Sequence, residues 1–118
     1  MESTVAIAAL AALAQTTRLE AFRLLVSREP DGIAAGDLAR LLAIPLNTMS
    51  SHLAVLARAG LISSERRSRS IIYRADIKQL GALMLFLIKD CCGGRPDLCA
   101  PLVSNLSPCC PPETSERV

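Results

Sequence analysis

The stretch from residue 41 to residue 73 constrains the fold of this chain more than any other part. It reads LLAIPLNTMSSHLAVLARAGLISSERRSRSIIY. A short helix runs to Ile44, a three-residue break is centred on Pro45, and a second helix with small polar residues at its start ends at Gly60. An arginine-tipped hairpin follows. Because DNA readers need hydrogen-bonding side chains on a helix and arginines that contact phosphate, this order predicts a helix-turn-helix with a wing.

Periodicity and capping signals add three further helices, so the chain is predicted to be mainly α with a β-hairpin wing, an α+β fold of five helices. Thr17 and Glu20 form a T-x-x-E capping box at the start of the second helix. The predicted helices cover residues 5–14, 17 to the turn at 30–32, 35–42, 46–59 and about 76 to 92, and the predicted strands cover 61–66 and 69–74. Six side chains are spaced to pack inward: Leu38, Leu41, Leu42, Met49, Leu53 and Leu56.

The composition limits the size, the partners and the assembly of the protein. Of its 118 residues 51% are hydrophobic but only 3% are aromatic, which argues against the stacking platforms that bind single-stranded nucleic acid. So much apolar surface on one small domain predicts a homodimer that buries the excess. We expect residues 1–92 to form the DNA-binding and dimerisation domain and residues 93–118 to form a tail rich in cysteine and proline.

Positive charge is concentrated at the predicted hairpin. The net charge is only +2, but between residues 58 and 74 five arginines face a single acid, Glu65, a local balance of 5 − 1 = +4. This favours phosphate as a partner. The apolar stretch at 5–14 follows Glu2 and no basic residue, unlike a signal peptide, and the apolar run at 81–88 is too short to span a bilayer. We therefore expect a cytoplasmic protein with no membrane partner.

Small polar side chains gather at the start of the predicted fourth helix, and arginines gather at the hairpin tip. Amide and hydroxyl groups there can contact base edges or phosphates, and the positive end of the helix dipole aids phosphate contact. Taken singly, each is as well explained by helix capping or solvation. Their combination with the neighbouring elements favours DNA recognition. The predicted DNA-binding residues are Asn47, Thr48, Ser50, Ser51, His52, Arg66, Arg67 and Arg69.

The pattern LxIPxNTxSxHLxxLxxAGLI, followed by a basic hairpin ending in IYR, resembles the winged-helix repressors of the ArsR/SmtB family. The upstream segment TTRLEAFRLL resembles the entry to that family's second helix. The resemblance covers the chain to about Cys92. It implies a homodimer formed by the first and last helices, which binds a palindromic double-stranded operator and is released by a toxic metal or metalloid.

Members of this family place their sensor ligands in different elements. The third-helix cysteine motif of the arsenic sensors is missing, because residues 32–42 contain no cysteine, and residues 76–92 lack the histidine of the last-helix zinc and cobalt site. A subset of arsenic-responsive repressors carries an adjacent cysteine pair plus one more at the end of the last helix. This resemblance assigns the role to Cys91, Cys92 and Cys99. Three thiolates suit trivalent arsenic or antimony, and two would suit methylarsenite.

Other roles for the cysteines stay open. Cys91 is also explained as a buried core residue, and a disulfide from Cys91 or Cys92 to Cys99 would make a redox sensor. Cys109 and Cys110 form a second thiol pair, which suits a weaker metalloid site, an ordering pair of ligands, a contribution to a zinc site, or a dispensable feature of the tail.

Enzyme activity is the least favoured reading of the thiols. The chain has no C-x-x-C, no base near the cysteines and no phosphate loop, so a nucleophile would lack its activating partners. The sequence therefore predicts a repressor, not an enzyme, released from its operator by trivalent arsenic and needing no organic cofactor. A thiol redox-sensing repressor and a constitutive winged-helix repressor are the alternatives.

Overall fold

The computed structural model describes the backbone of residues 1–91 and the side chains of residues 1–88. The elements in chain order are α1 (Ser3–Leu13), α2 (Thr16–Ser27), β1 (Ile33–Ala34), α3 (Ala35–Leu42), α4 (Leu46–Arg58), β2 (Ile62–Arg67), β3 (Ser70–Ala75) and α5 (Ile77–Cys91). The five helices and the β-hairpin confirm the predicted winged helix-turn-helix. The described chain divides into two units, and the division falls between Leu83 and Met84. The predicted domain boundary after Cys92 lies outside the described residues.

The described sheet has one strand more than the sequence predicted. Its order is β1-β3-β2, and both pairings are antiparallel. The short β1 places Ile33 opposite Tyr73. Gly32 precedes it with φ +81°, and a Cβ there would lie 2.6 Å from the carbonyl oxygen of Tyr73. Only glycine tolerates both the left-handed backbone and this close approach, which explains its place at the end of the turn at 30–32. This turn joins α2 to the sheet.

The ends of the helices follow from local capping, with one correction. The predicted capping box is wrong, because α2 begins at Thr16 and the side chain of Gln15 accepts the backbone N–H of Arg18 at 2.9 Å. Asp76 caps α5 by accepting the N–H of Gln79 at 3.0 Å. Gly60, with φ +80°, follows the last residues of α4 in the left-handed conformation expected there.

The core of the first unit is built from aliphatic side chains on α2, α3, α4 and the start of the sheet. Its largest fully buried members are Leu25, Leu38, Met49, Leu53, Leu56 and Leu61. The inward packing predicted for Leu38, Met49, Leu53 and Leu56 is therefore confirmed. The prediction is wrong for Leu41, which is 52% exposed. Leu42 is half-buried.

The buried residues of helix α1 are three alanines, and most of its large side chains are exposed. Ala6, Ala9 and Ala12 are buried, whereas Ile7 is 64% exposed and Leu10 is 41% exposed. No single helix within residues 1–91 has the length and apolar character needed to cross a membrane. The pair of α1 and α2 meets that test jointly, by length and composition only, and it is bent by 101°.

Candidate nucleic-acid interface

The break between α3 and α4 is a tight turn of three residues. Ala43 adopts a left-handed conformation (φ 56°, ψ 47°) and its N–H is donated to the carbonyl oxygen of Arg40 at 3.2 Å. The N–H of Ile44 reaches back to Ala39 O at 2.9 Å. Such bonds satisfy carbonyls that the end of a helix leaves unpaired. Pro45 then occupies the N-cap of α4, where its fixed φ suits the change of direction.

The predicted reading residues at the start of α4 lie on its outer surface. Asn47, Thr48, Ser50 and Ser51 are all exposed, while Met49 and Leu53 between and after them are buried. Two local bonds orient this group: Asn47 Oδ1 accepts the N–H of Thr48 at 2.9 Å, and Ser51 Oγ donates to Asn47 O at 3.2 Å. Because α4 turns its apolar side chains to the core, these polar groups are available to a ligand outside it.

His52 is half-buried and is held by an arginine that the sequence reasoning did not single out. Arg18 Nη1 lies 3.4 Å from His52 Nδ1, and Arg18 Nε donates to the carbonyl oxygen of Ala12 at 2.6 Å. A guanidinium group only donates hydrogen bonds, so a hydrogen bond between these two atoms is accepted by His52 Nδ1. One side chain therefore links α1, α2 and α4. The only signal in the sequence was the arginine within TTRLEAFRLL.

The wing presents its arginines at an exposed tip. Arg67 pairs with Ser70 across the hairpin, so the turn consists of Ser68 and Arg69, with Ser68 at φ 56°. Arg66, Arg67 and Arg69 are all exposed. Arg67 lies 3.3 Å from Glu65, with both side chains more than half exposed, so this ion pair contributes little. Neither Arg66 nor Arg69 takes part in an ion pair among the side chains of residues 1–88.

Arg74 is half-buried and does not belong to the exposed basic tip. Its Nη2 atom lies 3.3 Å from Glu29 Oε1, and its side chain is 40% exposed against 21% for Glu29. Arg74 Nε and Glu29 Oε2 are buried and have no hydrogen-bond partner among the described residues. The local charge of +4 counted from the sequence therefore includes an arginine that is already paired at the junction of α2 and the sheet.

The predicted effector residues lie at or beyond the end of the described chain. Cys91 is the last residue of α5, while Cys92, Cys99, Cys109 and Cys110 lie outside the described residues. Within the described part, no group of three or more His, Cys, Asp or Glu side chains is arranged to hold a metal ion. The assignment of these cysteines stays a prediction.

Comparisons with known proteins agree with this arrangement. The family described as a helix-turn-helix domain matches residues 13–65. A solved structure described as a possible transcriptional regulator for arsenical resistance is 31% identical, with 65% of this chain and 77% of that chain covered and a TM-score of 0.57. No curated protein matches the chain by sequence.

Two further solved structures are similar over most of their length. One is the homodimeric winged helix-turn-helix DNA-binding domain of Mb0332 from Mycobacterium bovis, a possible ArsR-family transcriptional regulator. It is 26% identical and covers 71% of this chain and 78% of its own, with a TM-score of 0.59. The other is reduced HlyU from Vibrio cholerae N16961, which is 27% identical and covers 72% of this chain and 86% of its own, with a TM-score of 0.61.

Proposed function

This chain belongs to the ArsR family of winged helix-turn-helix transcriptional regulators, and on that premise we propose that it is a cytoplasmic repressor released from its operator by trivalent arsenic. The family and the fold are those of DNA-binding transcriptional regulators and not of enzymes. The observation that carries the reading is the outer surface of α4, where four small polar side chains lie exposed at the N-terminal end. A recognition helix enters the major groove with that end.

The proposed contacts divide between reading and positioning. Asn47 and Ser50, on the exposed side of α4, contact base edges, while Thr48, Ser51 and His52 contribute hydrogen bonds to bases or phosphates. Arg66, Arg67 and Arg69 at the wing tip contact the phosphate backbone or the minor groove. In the tautomer whose Nδ1 accepts from Arg18, Nε2–H is the group of that ring that donates to a phosphate oxygen.

We propose that two copies bind a palindromic operator as a homodimer. Helix α1 supports this, since it exposes Val5, Ile7 and Leu10 while burying its alanines. In the second unit, described by itself, Leu85 of helix α5 is 69% exposed. Leu83 of the same helix is only 2% exposed in the single chain and belongs to its own core. The related Mycobacterium bovis domain is described as homodimeric.

The proposed effector site consists of Cys91, Cys92 and Cys99. Thiolates are soft ligands, and trivalent arsenic or antimony takes three of them in a pyramidal arrangement. Residues 32–42 contain no cysteine and residues 76–92 contain no histidine, so the third-helix and last-helix sites of the family lack their ligands. The C-terminal thiols remain as the soft donors. A similar solved structure is described as a possible regulator for arsenical resistance. Binding at the end of α5 would alter the spacing of the two recognition helices, and a coupling of about 1–3 kcal/mol lowers affinity about 5- to 150-fold.

The test is fluorescence anisotropy with reduced protein and a labelled duplex selected by the protein from a random-sequence library. Arsenite, antimonite, methylarsenite, zinc and peroxide are titrated in parallel. We expect trivalent arsenic to release the DNA from the wild type and from a control with both Cys109 and Cys110 changed to serine. Release is lost in Cys91→Ser and Cys92→Ser, and Cys99→Ser decides between two and three sulfur ligands. Tight binding that no addition alters would identify a constitutive repressor and discard arsenic sensing.

A redox-sensing repressor is the second candidate, because it uses the same thiols and one similar structure is described as reduced HlyU. In that case a disulfide from Cys91 or Cys92 to Cys99 would replace the bound metalloid. Peroxide would then release the DNA, dithiothreitol would restore binding, and arsenite would have no effect. The same titration therefore separates the two candidates.

A further inference from the structure

The first residue of the recognition helix is a large aliphatic side chain that the protein leaves uncovered. Leu46 opens α4 and is 54% exposed, and Pro45 before it is also exposed. The open groove beside Leu46 is lined by residues of α3 and of the turn: Gly36, Ala39, Arg40, Ala43, Ile44 and Pro45. A single exposed leucine is ordinary on a protein surface. Leu46 differs from an ordinary exposed leucine because it lies at the start of the recognition helix.

Leu46 is continuous with the polar surface assigned to DNA. Asn47 is its neighbour in the chain, and Ser50 lies one helical turn further on the same side of α4. A side chain at this position enters the major groove together with them. A leucine offers no hydrogen bond to the groove, and the apolar group that a base presents there is the 5-methyl group of thymine. The expected occupant of this apolar position is therefore a thymine methyl group.

We propose that Leu46 is a specificity residue that selects thymine at one position of each half-site through contact with its 5-methyl group. The inference rests on the proposed operator binding and deepens it. It predicts dependence on a group that takes no part in base pairing, so the methyl group can be removed without changing the pair. Replacing thymine by deoxyuridine does this, since the two bases share every hydrogen-bonding atom.

The experiment uses full-length reduced protein and duplexes selected from a random-sequence library. Each thymine of a selected duplex is replaced in turn by deoxyuridine, and the dissociation constant is measured by anisotropy at fixed salt. At one thymine in each half-site we expect about four-fold weaker binding, which corresponds to the ~0.8 kcal/mol for burying one methyl group. Leu46→Ala should bind the thymine and deoxyuridine duplexes equally, whereas Leu46→Met should keep part of the discrimination.

Leu41 provides the matched control. It is a leucine of nearly equal exposure, 52% against 54%, but it lies on α3 and not on α4. Leu41→Ala should retain the full four-fold discrimination, and circular dichroism should show that both alanine variants are folded. If no thymine is sensitive, or if Leu46→Ala keeps the same sensitivity as the wild type, the assignment of Leu46 is overturned while operator binding stands. If the library yields no preferred duplex, both the inference and the proposed operator recognition fail.

Discussion

Helices α1 and α4 are both rich in aliphatic residues, yet they arrange them in opposite ways. In α4 the large side chains Met49, Leu53 and Leu56 are buried, and small polar residues are exposed. In α1 the buried residues are alanines, and the larger Ile7 and Leu10 face outward. The single chain therefore covers the large apolar side chains of α4 except Leu46, whereas it leaves Ile7 and Leu10 of α1 exposed. We infer that the exposed polar surface of α4 binds DNA. We infer that the exposed apolar surface of α1 is buried against a second copy of the chain.

The largest expected effect comes from opening a cavity under α4. Leu53 is fully buried, so Leu53→Ala should lower the free energy of unfolding by about 2–5 kcal/mol. The change is measured as a shift of the urea midpoint followed by circular dichroism. Leu46→Ala on the exposed side of the same helix is the control, with an expected change within about 0.5 kcal/mol. Equal losses at both positions would contradict the assignment of the buried face.

Removing the side chain that links the two helices is expected to have the next largest effect. Arg18 donates to Ala12 O at the end of α1 and contacts His52 on α4. Arg18→Met keeps the aliphatic stem but removes every donor, and hydrogen bonds to charged groups contribute about 1.5–3 kcal/mol. We expect a loss of that size in urea unfolding. Arg23, exposed on α2, is a matched control, and Arg23→Met should leave the midpoint nearly unchanged.

The Arg18 contacts also explain why sequence reasoning recovered some features and missed others. The bounds of α3, 35–42, agree with the prediction, and Asp76 caps α5 next to its predicted start, because capping and periodicity act over a few residues. The Arg18–His52 contact joins residues 34 positions apart, and β1 exists only through its pairing with β3. No local pattern encodes such contacts.

Periodicity also failed to give the direction in which a side chain points. The spacing of Leu41 placed it with the core leucines, yet it is half exposed beside open grooves. The spacing shows that residues share a face, but the neighbouring elements decide whether that face is covered. The sequence likewise counted all arginines of the hairpin region as equivalent positive charges. In the fold, however, Arg74 is paired with Glu29 of a neighbouring element.

The exposed face of α1 yields a smaller effect that depends on concentration. Ile7 is 64% exposed, so Ile7→Ala should leave the folded single chain intact but weaken the proposed dimer. Because the change is present in both copies, a loss of about 0.8 kcal/mol of burial at each, about 1.5 kcal/mol in total, raises the dimer dissociation constant about ten-fold. Sedimentation velocity over a dilution series measures this. Leu41→Ala is the control, and dimer affinity unchanged by Ile7→Ala would place the interface elsewhere.

The smallest expected effect comes from a substitution in the turn between α3 and α4. This substitution should be stabilising. Ala43 adopts φ 56°, ψ 47°, a conformation that costs a residue with a Cβ about 1–2 kcal/mol, whereas glycine adopts it freely. Because glycine also adds flexibility to the unfolded chain, we expect Ala43→Gly to raise the free energy of unfolding by only about 0.5–1 kcal/mol. Thermal unfolding measures the gain. Ala57→Gly, on the exposed side of α4, should instead lose about 1 kcal/mol, since glycine weakens a helix interior. Opposite signs at the two alanines would show that the turn, and not the helix, holds the strained residue.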